Sequence, residues 1–227
     1  MLYDEKAVRD NLRNRDGKRV FYLGSGDQLT PSARDWLTRE RIAILPASQA
    51  KRERYRLENG GYIEEKPEHM THLNGEYLVS KAHPRIGFRG AMDSLEAELL
   101  LTQHSCPQLE KALGEILALA RRLIRCDVLE EPVGEFTLCG LTQAQQRQHS
   151  HFPQEHYGIA HFMPEAADGQ AVLLLNRCRT AARAAELQAV RAFADPRGLP
   201  CRPDILQALN RMSSMLYILM LREKAKK

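Results

Sequence analysis

The 227-residue chain is 43% hydrophobic and 27% charged, with 33 basic against 29 acidic side chains and a net charge of +4, the composition of an ordinary globular protein long enough to bury a core. Its small excess of base is interleaved with acids rather than aromatics, which argues against a nucleic-acid surface. Its longest apolar runs fall far short of the roughly 18 residues a membrane span needs. The five cysteines at 106, 126, 139, 178 and 201 form no C-x-x-C pair and read as reduced thiols of a soluble cytoplasmic protein.

In chain order, "MLYDEKAVRDNLRNRDGKR" carries charge but no apolar segment of secretory type. "VFYL" at 20–23 and "IAIL" at 42–45 read as short strands. Between them lies a helix that Thr30 would cap, with Pro31 at its first position. "GSGD" at 24–27 reads as a tight turn rather than a phosphate loop, because no G-K-[ST] follows and the remaining Rossmann glycines are missing. Residues 46–70 lack apolar periodicity, contain Gly60-Gly61 and Lys66-Pro67, and read as a linker or loop. The expected division is therefore an N-terminal strand–helix–strand unit plus linker over 1–69 and a helical domain over 70–227.

After Met70 apolar residues recur at helical spacing near 84–104, 107–131, 142–150, 166–194 and 202–226. The expected fold is mainly α: an up-and-down bundle of about five helices with a small N-terminal α/β appendage. In the first of these helices Phe88, Met92, Leu95 and Leu99 form one stripe, and Arg85, Arg89, Asp93 and Glu96 form another beside it. Arg179, Arg183 and Glu186 follow i, i+4, i+7 in the fourth. The last helix is apolar around most of its circumference except at Asn210, Arg211, Ser213 and Ser214.

A charge row is most simply a solvated face. A helix as apolar as the last one, however, belongs inside a bundle. Arg179 and Arg183 lie one turn apart and repel, so Glu186 alone leaves them under-neutralised and an anion between them would complete the set. His149, His151, His156 and His161 have no helical i, i+4 spacing and no nearby cysteine, and read as surface histidines rather than a metal site.

These segments, in this order, resemble the ATP:corrinoid adenosyltransferases of the propanediol-utilization type. "SKAHPRIGFRGAMDSLEAEL" is similar to that family's K-D-D-P-R-x-E-A-Y-G-x-V-D-E-L-N-A signature at Lys81, Pro84, Arg85, Gly90, Asp93, Leu95 and Ala97. "RTAARAAEL" resembles R-T-x-C-R-x-A-E-R at Arg179, Thr180, Arg183, Ala185 and Glu186, and "LNRMSSMLYIL" resembles L-N-R-L-S-D-L-L-F at Leu209, Asn210, Arg211, Ser213 and Leu216. "LTPSARDWL" and "MTHLNGEYLVSKAHPRIGFRG" are similar to the ethanolamine-utilization branch.

The resemblance implies transfer of the 5′-deoxyadenosyl group of ATP to the cobalt of cob(I)alamin, with Mg²⁺, to supply ethanolamine ammonia-lyase. It further implies a homo-oligomer, a dimer or trimer with the site at a subunit interface, in the cytoplasm or a bacterial microcompartment. Lys81, Arg85, Arg179 and Arg183 would hold the triphosphate, Thr71 and His72 would contact the nucleotide, and Asn210, Arg211 and Ser214 would complete its seat. Glu186 would orient an arginine, Arg89 and Asp93 would form a paired support, and Phe152, Tyr157, Phe162 and Met163 would wall the cobalt face. Residues 51–70 hold no cysteine, where many members of that branch carry a cysteine metal site, so no resident iron or zinc is expected. A nucleotide-binding scaffold that performs no transfer is the alternative.

Overall fold

The computed structural model describes residues 1–15, 17–50, 55–75 and 77–226, and the chain divides into two units, Met1–Lys81 and Ala82–Lys227. The first unit contains β1 (Leu2–Tyr3), α1 (Glu5–Asp10), β2 (Arg13–Arg15), β3 (Lys18–Leu23), β4 (Gln28–Leu29), α2 (Pro31–Arg39), β5 (Ala43–Pro46), β6 (Tyr55–Leu57), β7 (Tyr62–Ile63), β8 (Met70–Asn74) and β9 (Tyr77–Ser80). β3 and β5 pair in parallel across α2. That helix starts where Thr30 accepts the Ala33 N–H, with Pro31 at its first position. Its buried face, Ala33, Trp36 and Leu37, packs with Val8, Phe21 and Ile42. At "GSGD" the Asp27 N–H donates to the Gly24 carbonyl at 3.1 Å, and the Asp27 carboxylate accepts from the Gly24 N–H at 3.2 Å, a closed turn.

The stretch read as a linker holds strands where it is described, its residues 51–54 lying outside the described set. The sheet runs β5-β3-β2-β7-β6-β9-β8. Gly60 and Gly61 both adopt positive φ, 85° and 86°, in the turn from β6 to β7, a conformation open to glycine at little cost. Strands two or three residues long offer too few alternations to show a period in the sequence. The β8–β9 hairpin likewise belongs to the first unit, so the division falls after Lys81 rather than after His69.

The second unit contains α3 (Pro84–Ser105), α4 (Glu110–Val128), β10 (Thr137–Leu138), β11 (Leu141–Thr142), α5 (Gln143–His151), α6 (Pro153–Tyr157), α7 (Gln170–Ala192) and α8 (Pro203–Lys224). α3, α6 and α8 each open on a proline, whose fixed φ suits the first helical turn. The helix expected from 166 begins at Gln170, because Gly169 (φ 84°, ψ 167°) breaks it from the short 3₁₀ turn before it. α3 packs between α4 and α7, α7 packs between α3 and α8, and α5 lies on α8.

The apolar stripe Phe88, Met92, Leu95 and Leu99 is buried in that core, as are Leu113, Ile116 and Leu123 of α4 and Leu209, Met212 and Leu216 of α8. Each such side chain contributes about 1.5–3 kcal/mol through removal of apolar surface from water. The bundle architecture agrees with the pattern of apolar residues, and among the described residues no helix is long and apolar enough to cross a membrane.

The entry to α8 is held electrostatically. Asp204 accepts from Arg202 at 2.9 and 3.0 Å and from the Val133 N–H at 3.0 Å. The Arg202 hydrogen bonds above all pull its carboxyl down to about 2, from a usual value of 3.8. A carboxylate depressed in the folded state stabilises above its unfolded pKa and loses that contribution as pH falls through the folded one. Asp204→Asn should therefore cost about 1–2 kcal/mol at neutral pH, allowing for the side chain's partial exposure, with the deficit closing between about pH 4 and pH 2. Denaturant midpoints of parent and variant across that range would check it.

Candidate functional site

Helical spacing puts Arg179 and Arg183 on one face of α7, and α8 supplies Ser213, Ser214 and Tyr217 opposite them; these residues and Phe162 line a cavity of about 400 Å³. Among the described residues no carboxylate lines it. The Arg179 guanidinium is steadied by Asn176 Oδ1, to which Nε and Nη2 donate at 3.1 and 2.9 Å. Burial first, and then the like charge of Arg183, push Arg179 below the ordinary arginine value. Two cations one turn apart, one partly desolvated, make a seat for an anion.

The opposite wall is aromatic and hydrogen-bonded. Phe162 and His161 each stack on Tyr217, with ring centroids 5.9 Å apart and interplanar angles of 27° and 12°. The Phe162 N–H donates to the Tyr217 hydroxyl at 3.4 Å, and that hydroxyl lies 3.2 Å from His161 Nδ1. His161 Nε2 lies 3.2 Å from the His151 carbonyl. A carbonyl can only accept, so Nε2 is the donor of that bond. The chain of bonds fixes Phe162 at the cavity. Tyr217 is the wall residue that sequence reading missed; its place on α8, one turn from Ser213 and Ser214, is the available signal.

Further along α8 a second cavity, of about 790 Å³, is lined by Glu186, Asn210 and Arg211 together with residues of α5. Asn210 Nδ2 donates to Glu186 Oε1 at 3.0 Å, and Arg211 donates to Asn210 Oδ1. Glu186, expected to orient an arginine, is linked to Arg211 through the Asn210 amide. Arg211 is only 8% exposed. Burial, and next the nearby Arg147, push its guanidinium below the ordinary value.

The sequence profile of the cobalamin adenosyltransferase family matches residues 61–223. The chain belongs to that family. Corrinoid adenosyltransferase EutT of Salmonella typhimurium strain LT2 is 35% identical over 165 residues, which cover 72% of this chain and 62% of that protein. The EutT of Escherichia coli strain K12 is 36% identical over 160 residues, or 70% of this chain and 60% of that protein. The chain thus spans about three-fifths of the length of these relatives.

Of the site residues expected from the sequence, the two cavities bring together Arg179, Arg183, Ser214 and Phe162 in one and Glu186, Asn210 and Arg211 in the other. Arg85 and Arg89 turn elsewhere: their Nε atoms donate to Asp127 of α4 at 2.8 and 2.6 Å, and Arg85 Nη2 donates to the Asp127 carbonyl at 2.6 Å. Asp127 is completely buried. The expected Arg89–Asp93 support is replaced by this triad, because α3 packs the arginine side of its charge row toward α4 while Asp93 stays exposed, without an ion-pair partner among the described residues.

Phe152 is 53% exposed and lies outside both cavity linings, whereas Met163 lines the first while 84% exposed. Tyr157 binds His149 Nδ1 at 2.8 Å, and His149 stacks on His156 at 3.8 Å, so these two histidines are partly buried members of a corner rather than surface groups. Thr71 and His72 lie on β8, where His72 Nδ1 meets the Gly75 carbonyl at 3.0 Å, and Lys81 ends the first unit with an exposed side chain.

Proposed function

We propose that the chain transfers the 5′-deoxyadenosyl group of ATP to the cobalt of a reduced corrinoid, cob(I)alamin. What carries the reading is one cavity in which the carboxylate-free pair Arg179 and Arg183 faces the stacked wall of Phe162 and Tyr217. Family membership and relatives named corrinoid adenosyltransferase support it. In the reaction the cobalt electron pair attacks C5′ of the ribose, the Co–C bond forms as the C5′–O bond breaks, and triphosphate leaves with the electrons. The corrinoid is the nucleophile, so no activated serine or cysteine is needed.

The protein's contribution is alignment and charge. Arg179 and Arg183 meet the growing negative charge in a partly dry setting, where fixed cations act more strongly than in water. Asn210, held between Glu186 and Arg211, is the contact for the ribose or a phosphate. Phe162 and Tyr217 present flat apolar surface to a corrin ring. Mg²⁺ enters as the counter-ion of the phosphates, since the first cavity provides no carboxylate to seat it.

Thr71, His72 and Lys81 are carried as nucleotide contacts by the motif resemblance alone. On the same footing rest the dimer or trimer with an interfacial site, delivery to ethanolamine ammonia-lyase, and residence in the cytoplasm or a microcompartment.

Anaerobic incubation with ATP and cob(I)alamin tests the reading: the absorption spectrum should convert to that of adenosylcobalamin. ATP binding with no conversion would leave a nucleotide-binding scaffold instead. Within the reading, Tyr217→Phe cuts the chain that holds Phe162 and should raise KM for the corrinoid about threefold to tenfold while leaving KM for ATP within twofold, the loss of about one neutral hydrogen bond. Steady-state kinetics with each substrate varied would show it.

A further inference from the structure

Asn176 lies outside the lining of the first cavity, yet it holds one of the two cations there. It stands inside α7, three residues before Arg179. Asparagine is a poorer helix former than alanine, because its amide competes for backbone hydrogen bonds. Its Oδ1 accepts from Arg179 Nε at 3.1 Å and from Nη2 at 2.9 Å. Two arginine donors can meet only the oxygen of the amide, which fixes the orientation of its head.

This contact uses one edge of the guanidinium. The outer fork, both Nη1 hydrogens and the second hydrogen of Nη2, has no partner among the described residues, and such a fork takes two oxygens of a phosphate. The cation so aimed is costly to hold, since burial and the like charge of Arg183 both weigh against it. An aspartate, of nearly the same shape, would accept the same two N–H groups and cancel that charge. Other partly buried arginines of this unit have such partners: Arg85 and Arg89 share Asp127, and Arg202 pairs with Asp204. Arg179 receives an uncharged one.

We infer that Asn176 is a positioning residue that aims Arg179 at the substrate anion, and that its neutrality keeps the arginine's charge for that anion. The inference rests on the reading above in taking the anion to be the triphosphate of ATP. Asn176 touches no substrate in this scheme and acts through Arg179.

Calorimetric titration of the full chain with inorganic tripolyphosphate, with no corrinoid present, tests it through two variants that differ in charge. The parent should bind. Asn176→Ala frees the guanidinium and should weaken binding about threefold to tenfold, the worth of a hydrogen bond to a charged group. Asn176→Asp keeps the geometry but neutralises the cation, and should weaken binding by more than about tenfold. Thermal unfolding without anion gives a readout that a packing role would not produce. Asn176→Asp should melt at or above the parent's midpoint, because its carboxylate relieves the repulsion between Arg179 and Arg183. In an Arg179→Ala background, Asn176→Ala should have no further effect on binding. Failure of the parent to bind, parent-like binding by Asn176→Asp, a lowered midpoint in that variant, or an undiminished effect of Asn176→Ala without Arg179 would each overturn the inference.

Transfer kinetics separate this inference from the proposed reaction. Asn176→Asp should raise KM for ATP by more than about tenfold and leave KM for the corrinoid within about twofold. A protein that performs no transfer but binds tripolyphosphate with this dependence on Asn176 keeps the inference and removes the reaction. Transfer by Asn176→Asp with the parent's KM for ATP keeps the reaction and removes the inference.

Discussion

Arg183→Ala is expected to lower kcat/KM for ATP by about 10²–10³-fold, the usual consequence of removing a fixed charge that meets a developing anion. Arg183 lines the first cavity with Arg179, and no carboxylate of that lining neutralises either. Its side chain is exposed, so the substitution should change folding stability by less than about 0.5 kcal/mol. The kinetic loss and the intact fold must appear together. Arg183→Lys should fall between, keeping the charge but losing the planar fork that grips phosphate oxygens in pairs, for a loss of about tenfold. Kinetics unchanged in both variants would take Arg183 out of the site.

Asp127→Asn should be the most destabilising single change in the helical unit. The carboxylate is completely buried, with an oxygen each for Arg85 and Arg89, whose side chains are only 17% exposed. Neutralising it strands two half-desolvated cations. Glu130 cannot replace it, because its side chain is 66% exposed and 3.7 Å from Arg85. Breaking a buried pair in this way typically costs about 3–5 kcal/mol, which for a chain of this size lowers the midpoint by roughly 10 °C.

Loss of helical circular dichroism on heating would report it. Replacing all three members by apolar residues of similar size should recover most of the loss, since the cost lies in uncompensated charge rather than missing contacts. A variant Asp127→Asn that melts with its parent would show that the triad does not hold α3 to α4.

What the sequence made legible follows from the range of each signal. Helix faces are local: Phe88, Met92, Leu95 and Leu99 lie three or four residues apart, and all are buried as their spacing requires. Charge partners are not local. Asp127 is 38 residues from Arg89 and 42 from Arg85, in a helix whose plain amphipathic pattern gives no hint that one acid turns inward; Asp93, one turn away on α3, was the nearer and mistaken choice.

The same reasoning separates Phe162 from Phe152. Both are aromatic residues in a histidine-bearing stretch, and only the seat provided by Tyr217, 55 residues beyond Phe162, decides which one faces the cavity. The strands β6 and β7 escaped because their pairing is made by backbone groups that no side-chain pattern records.

On the proposed function, one chain joins ATP to a reduced corrinoid in the cavity lined by Arg179 and Arg183. The most direct measurement is a single-turnover anaerobic reaction of the protein with cob(I)alamin and ATP in which adenosylcobalamin and triphosphate are quantified together. The expected result is mole-for-mole appearance of the two, strongly slowed in Arg183→Ala. Triphosphate without adenosylcobalamin, or neither product from a protein that binds ATP, would contradict it.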